Sequence, residues 1–149
     1  MRGEEDMASF EDVFSDAQMG MVSVALEYGG DAVSDVFVQF MILDGMRHGD
    51  VFFVKDGKTY HRHELPGVDP SIDRQQILQK VITDEAQRIV VAGREYGRTV
   101  PVEGYLHYRV GGSVDARYSY EDIPADKDPQ WSEKLEAWMQ LVQQDFDKA

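Results

Sequence analysis

The feature that most constrains the fold is an apolar segment in the first third of the chain. Within residues 33–43, the letters of 36–43 read VFVQFMIL, apolar residues that are mostly β-branched or aromatic and are interrupted by a single glutamine. A run of strand length that is apolar at nearly every position is typical of a central strand covered on both faces. The sequence therefore predicts a sheet that contains this strand and has other elements packed against it.

Turn signals predict hairpins beside this strand. A polar loop with Gly45 and Gly49 comes first, and Asp56-Gly57 then joins residues 51–55 to residues 58–64. Glycine tolerates the positive φ that a two-residue type I′ turn requires, so these two segments are predicted to form a hairpin. In its register His61 lies opposite Phe52.

A second hairpin is predicted from Val102 to Tyr120, around Gly111-Gly112-Ser113. A three-residue loop at these residues collects apolar side chains on one face, whereas a two-residue loop mixes the two faces. The three-residue loop predicts five cross-strand pairs, namely Val110 with Val114, Tyr108 with Ala116, Leu106 with Tyr118, Arg109 with Asp115, and His107 with Arg117.

Apolar residues at helical spacing predict three helices. The first runs from Ser9, its N-cap, to about residue 27 and ends at Gly29-Gly30. The second follows the cap Ser71 and extends to about residue 92, and the third begins at Pro129. The second helix has a stripe of Ile72, Ile77, Leu78, Val81, Ile82, Ile89 and Val90. The third has a stripe of Trp131, Leu135, Trp138, Leu141, Val142 and Phe146.

The resulting order of elements is α-β-β-β-α-β-β-α. Hairpin strands with helices between them indicate an α+β fold, an antiparallel sheet of about five strands with helices packed on it. At 149 residues we expect a single domain, 1–149, in which residues 1–8 form a flexible acidic arm. The absence of cysteines, of a secretory leader and of a long apolar run favours a cytoplasmic protein.

The formal charge of the chain is −13, and the excess lies at the two ends. Residues 1–35 hold nine acids against one base, a net of −8, and residues 121–149 hold eight acids against three bases, a net of −5. Such a molecule repels nucleic acid and attracts basic proteins. We expect the terminal segments to fold beside each other and to present one negative surface to a basic partner.

The residues predicted to bind this partner are the acids of the connection before the last helix, of that helix, and of the first helix. They are Glu121, Asp122, Asp126, Asp128, Glu133 and Glu136, followed by Asp12 and Asp16. A secondary set, Tyr105, His107 and Arg109, is expected to project outward as a recognition face, because tyrosine and arginine are favoured interface anchors.

Three strings resemble the YezG-like antitoxin family, immunity proteins encoded beside bacterial polymorphic toxins. They are residues 36–43, the strand Asp50 to Val54, and residues 114–122, which end in a Tyr-Glu pair before a loop and a Trp-bearing helix. The Trp is Trp131 or Trp138, and the resemblance extends from about residue 9 to 142. The acidic N-terminal arm and the aromatic content of the first strand depart from the family. The resemblance implies a protein that binds and neutralises a cognate toxin domain, often a nuclease.

Two other classes of function are weighed against this one. His61 and His63 share a strand face and are candidate ligands of a metal-dependent enzyme or ligand-binding domain, with Glu64, His48 or His107 as the third ligand. An acidic adaptor or chaperone for another basic protein is the other alternative. We find no nucleophile elbow and no phosphate-binding glycine loop, so we predict no catalytic residues, no cofactor and no bound metal.

Overall fold

The computed structural model describes residues 2–148, and its side chains from Phe10 onward. It has the predicted α+β fold, with three helices and a five-stranded sheet in the predicted order. The elements are α1 (Arg2–Gly29), β1 (Asp35–Leu43), β2 (Met46–Lys55), β3 (Lys58–His61), α2 (Ile72–Tyr96), β4 (Glu103–Arg109), β5 (Val114–Ser119) and α3 (Trp131–Asp147). The strands are arranged β3-β2-β1-β4-β5, and all neighbours are antiparallel.

Strand β1 lies in the middle of the sheet, as its apolar run predicts. Its even-numbered residues, such as Val38 and Phe40, face α1 and α2, and its odd-numbered residues, such as Phe37, face α3. Side chains alternate between the faces of a strand, so a strand that is covered twice is apolar at almost every position. The prediction of a central strand is therefore confirmed.

The face under α1 and α2 carries the larger apolar core. Ile82 and Ile89 of α2 and Met21 of α1 are completely or almost completely buried against Val38 and Phe40. On the neighbouring strand β4, a Cβ at Gly104 would lie 2.1 Å from the ring of Phe40, so this position accommodates glycine alone. The two helices and the sheet thus form one close-packed layer pair.

The face under α3 carries a smaller, aromatic core. The rings of Phe37 and Phe52 stack at 4.3 Å, and Trp138 of α3 meets both rings edge-on at 5.4 and 5.0 Å. Leu135 and Met139 complete this cluster. Met139 belongs to the stripe although it was not predicted, whereas Leu141, which was, is exposed.

The turn at Asp56-Gly57 is confirmed, with positive φ values of 53° and 77°. Aspartate and glycine are among the residues that accept this left-handed conformation. His61 lies opposite Phe52, as predicted. The predicted polar loop around Gly45 and Gly49 is wrong in part, because β2 begins at Met46 and Gly49 pairs with β1.

The predicted register of the second hairpin is wrong by two residues. Tyr108 lies opposite Val114, and His107, not Arg109, lies opposite Asp115. The Val110 N–H donates to the carbonyl of Ser34 at 2.9 Å, so Val110 does not pair with Val114. The loop between β4 and β5 therefore has four residues. A two-residue shift keeps the same side chains on the same face, so burial alone could not reveal it.

The helix boundaries differ from prediction at the start of α1 and at the end of α2. Ser9 is not an N-cap, because α1 begins at Arg2 and passes through Ser9; the preceding Glu and Met residues favour helix. The Ser71 cap is confirmed, since its side chain accepts from the Arg74 N–H. The helix α2 continues through Gly93 to a left-handed cap at Gly97, and it exposes Ile72 and Ile77.

Candidate protein-binding surface

The connection between β5 and α3, residues 120–130, has neither helix nor strand and is held by local hydrogen bonds. The Glu121 N–H donates to Ser119 Oγ, and the Lys127 N–H donates to the Pro124 carbonyl at 3.0 Å. The Asp128 carboxylate accepts the Gln130 N–H at 2.9 Å just before α3 begins. These bonds fix the backbone and leave most of the acidic side chains in solvent.

A cavity of about 330 Å³ lies between this connection, the start of β4 and the start of α3. Its wall carries four carboxylates and two lysines among apolar groups. The lining residues are Glu103, Glu121, Asp122, Ile123, Pro124, Lys127, Asp128, Pro129, Gln130 and Lys134. Glu103 is already engaged, since it accepts from Lys134 Nζ at 3.1 Å and from the Tyr105 hydroxyl at 2.7 Å. The other three carboxylates face outward.

The predicted acids of this region differ in their partners. Glu121, Asp122, Asp126 and Glu133 are exposed, and within the part of the chain that the structure describes they form no ion pair. Glu136 is paired, because its carboxylate lies 2.8 Å from His61 Nε2. Among the predicted acids of this region, the free carboxylates therefore lie on the connection and the first turn of α3.

The acids of α1 lie elsewhere, and two of the four whose side chains are described, Glu11 and Asp16, are engaged. Asp16 lies 3.0 Å from the Arg88 guanidinium of α2, and Glu11 lies 2.7 Å from that of Arg98, while Asp12 is exposed. Helix α1 packs on the sheet face opposite to α3. The expectation of one shared negative surface is therefore wrong, because each apolar face of the sheet requires its own helical cover.

The secondary set does not share one environment. Tyr105 and His107 are half-buried beside α3, where the ring of Tyr105 meets Trp138 at 5.2 Å and that of His107 stacks on Phe37 at 4.2 Å. Burial, followed by the hydrogen bond to Glu103, raises the pKa of Tyr105. Only Arg109 extends into solvent. An outward recognition face of all three residues is therefore wrong.

Sequence reasoning missed a polar cluster where α3 meets the sheet. Gln39 is fully buried and donates from Nε2 to the Trp131 carbonyl at 3.1 Å, while the ring of His48 stacks on the Trp131 ring at 4.2 Å. Burial lowers the pKa of His48, and its Nε2 has no hydrogen-bond partner in the described residues. The single glutamine in an apolar strand was the signal that could have located this anchor.

The candidate metal ligands do not converge. His61 and His63 stack with their ring centres 5.4 Å apart, and His61 is paired with Glu136. His107 bonds to Asp35, and His48 lies against Trp131. Among residues whose side chains are described, no group of three or more potential ligands could hold a metal ion.

The chain matches no model of a protein family and no curated protein. As far as residues 2–148 show, none of the helices combines the length and the apolarity that crossing a bilayer demands.

Proposed function

We propose that this protein is a cytoplasmic immunity protein that binds and neutralises a basic toxin domain, such as a nuclease. The observation that carries the proposal is the connection at residues 120–130, whose carboxylates Glu121, Asp122 and Asp126 are exposed and unpaired within the described chain. Carboxylates that stabilise the fold accept hydrogen bonds from other residues of the chain, as Glu103 does from Lys134 and Tyr105. Free ones on an ordered backbone suit a partner that brings its own cations.

The overall charge favours the same class of partner. At −13 the protein repels phosphate and attracts basic surfaces over distances of a Debye length, about 8 Å at physiological ionic strength. A nuclease domain has a basic surface for its substrate, and an acidic protein that occupies this surface competes with nucleic acid. Inhibition by occlusion follows from that competition.

Apolar groups within the acidic connection supply the other component of a tight interface. Tyr120 is 53% exposed at the start of the connection, and Ile123 with Pro124 lines its cavity. Aromatic and aliphatic anchors surrounded by polar groups dominate the energy of protein interfaces. The connection offers both components in one short segment.

The resemblance of residues 36–43, 50–54 and 114–122 to the YezG-like antitoxins supports the proposal from the sequence. An acidic adaptor or chaperone for another basic protein would use the same surface and differs only in its partner. The metal-dependent alternative has less support, because His61 is occupied by Glu136 and the described residues hold no three-ligand group.

The experiment is a binding titration of the protein against the product of the adjacent gene. The test variant carries Glu121→Lys, Asp122→Lys and Asp126→Lys. The matched control carries Glu27→Lys, Asp31→Lys and Glu95→Lys, the same charge change at exposed acids away from the connection. We expect the test variant to lose at least about 100-fold in affinity and the control to lose far less.

The outcomes separate the proposals. A neighbouring product that is toxic alone and is neutralised by binding supports an immunity protein, and a non-toxic basic neighbour that binds supports an adaptor. Equal losses in the two variants would show that only net charge matters and would remove the connection as the site. Circular dichroism of each variant checks that the fold is retained.

A further inference from the structure

The two edges of the sheet end in different ways. At the β3 edge the Thr59 N–H donates to Gln143 Oε1 at 2.8 Å, and Gln143 Nε2 donates to the Gly57 carbonyl at 2.9 Å. The glutamine of α3 thus takes the place of a neighbouring strand. At the other edge β5 is the last strand, and its four central residues are exposed. An open edge strand is a template for pairing with another chain.

The outward-facing backbone groups of β5 can be identified from the ladder. The Val110 N–H donates toward β1, to the Ser34 carbonyl, and antiparallel strands alternate the side to which they bond. Even-numbered residues of β4 therefore bond to β1, and odd-numbered ones bond to the odd-numbered residues of β5. Val114, Ala116 and Tyr118 consequently direct their N–H and C=O groups away from the sheet.

We propose that β5 pairs antiparallel with β5 of a second copy of this chain, around a two-fold axis at Ala116. In this register Ala116 faces Ala116 of the second copy, and Val114 faces Tyr118 in both directions. Each outward N–H and C=O of these three residues then gains a partner. The pairing joins the two sheets into one. This inference goes beyond the proposed function and does not depend on it.

The side chains of β5 are complementary to themselves in this register. Asp115 faces Arg117 of the second copy, and Arg117 faces Asp115, at the positions where opposite side chains approach most closely. Within the described residues neither one forms a salt bridge in its own chain; the Arg117 guanidinium rests 4.8 Å from the Tyr105 ring centre. On the other face Val114 meets Tyr118, a β-branched and aromatic pair of the kind that stabilises sheets.

This charge pattern is what favours a second copy over an extended segment of another protein. The sequence Asp115-Ala116-Arg117 is its own antiparallel complement, with the small residue on the axis. An edge-to-edge contact buries less than the roughly 1,600 Å² of a standard interface, so we expect a dissociation constant in the micromolar range or weaker. Because each copy carries −13, moderate salt should favour the dimer by screening the long-range repulsion.

Sedimentation equilibrium at physiological salt tests the proposal with two charge variants. Asp115→Arg alone places two arginines opposite each other, and Arg117→Asp alone does the same with aspartates. Each variant is therefore expected to weaken self-association by about tenfold or more. Mixed in equal amounts, they form a heterodimer, because the introduced arginine faces the introduced aspartate and the native pair remains on the other side.

Two further variants serve as controls, one for edge pairing and one for net charge. Ala116→Pro removes an N–H that points outward and is tolerated on an edge strand, so it should leave the monomer folded and abolish dimerisation. Lys80→Asp on α2 changes the charge away from β5 and should leave the dimer intact. A wild-type chain that stays monomeric, or a dimer that survives Ala116→Pro and both charge variants, would overturn the proposal. So would a β5 edge that pairs only with a strand of the toxin.

Discussion

The two acidic regions of this molecule are similar in composition and different in use. On α1, Asp16 is paired with Arg88 of α2, and Glu11 is paired with Arg98, which follows the C-terminal cap of α2. On the connection, Glu121, Asp122 and Asp126 meet no cation of the described chain. A large net charge does not by itself define a recognition surface, because some of the charged side chains form ion pairs within the fold.

The difference arises from what each region packs against. Arg88 of α2 and Arg98, just beyond the end of α2, lie beside α1, so Asp16 and Glu11 find partners there. The connection crosses the end of the sheet, where Lys134 is already bonded to Glu103. Its carboxylates thus remain available to another molecule.

Among the substitutions that test this difference between the two regions, Leu135→Ala is expected to have the largest effect on stability. Leu135 is 2% exposed and joins α3 to the sheet, so its truncation should lower the free energy of unfolding by about 2–4 kcal/mol. Because α3 anchors one end of the connection, binding of the basic partner should weaken as well. Urea denaturation and the binding titration measure the two losses.

The matched control on the same helix is Leu141→Ala. Leu141 is exposed, so its truncation should change stability by no more than about 0.5 kcal/mol. Equal losses from the two substitutions would show that α3 does not dock as described.

A smaller effect on stability is expected from the protonation of His48, whose ring stacks on that of Trp131. Burial holds the pKa of His48 below its ordinary value of 6.5, so the unfolded chain takes up the proton first. The contribution of neutral His48 to the free energy of unfolding is fully present above pH 6.5, and it is lost as the pH falls toward the lower pKa of the folded state. The variant His48→Phe, which keeps a ring against Trp131, should lose less stability than the wild type over that interval.

Thermal unfolding of both proteins from pH 7 downward checks this prediction. The difference between the two curves isolates His48 from the other groups that titrate in this range. Parallel curves would mean that folding does not lower the pKa of His48.

An effect smaller than that of Leu135→Ala is expected from Arg88→Ala on the α1 side. This substitution removes a surface pair with Asp16 and a pair with Glu85, whose side chain is 16% exposed, so it should lower stability by about 1 kcal/mol. It should leave partner binding unchanged, since the pair lies between α1 and α2, whereas the connection crosses the end of the sheet. A loss of affinity comparable to that of the connection variants would contradict the distinction between the two regions.

Local sequence patterns predicted the elements well because local forces determine them. The run at residues 36–43, the turn at Asp56-Gly57 and the cap at Ser71 each depend on neighbours in sequence, and the structure confirms all three. The N-cap at Ser9 failed because the preceding residues are themselves good helix formers.

What could not be predicted depends on contacts that are distant in sequence. The hairpin register follows from the bond of Val110 to Ser34, and the separation of the acidic regions follows from α1 and α3 covering opposite faces. The role of Gln39 required knowing that Trp131 lies above it. The connection was predicted as the main candidate site, but which carboxylates are free emerged only from the ion pairs.

The most direct test of the account is the salt dependence of the dissociation constant for the basic partner, measured for the wild type and the Glu121, Asp122 and Asp126 reversal variant. We predict that wild-type affinity falls steadily as salt rises, and that the variant binds weakly with a much flatter slope. If the two proteins share one slope and one affinity, the connection is not the recognition surface.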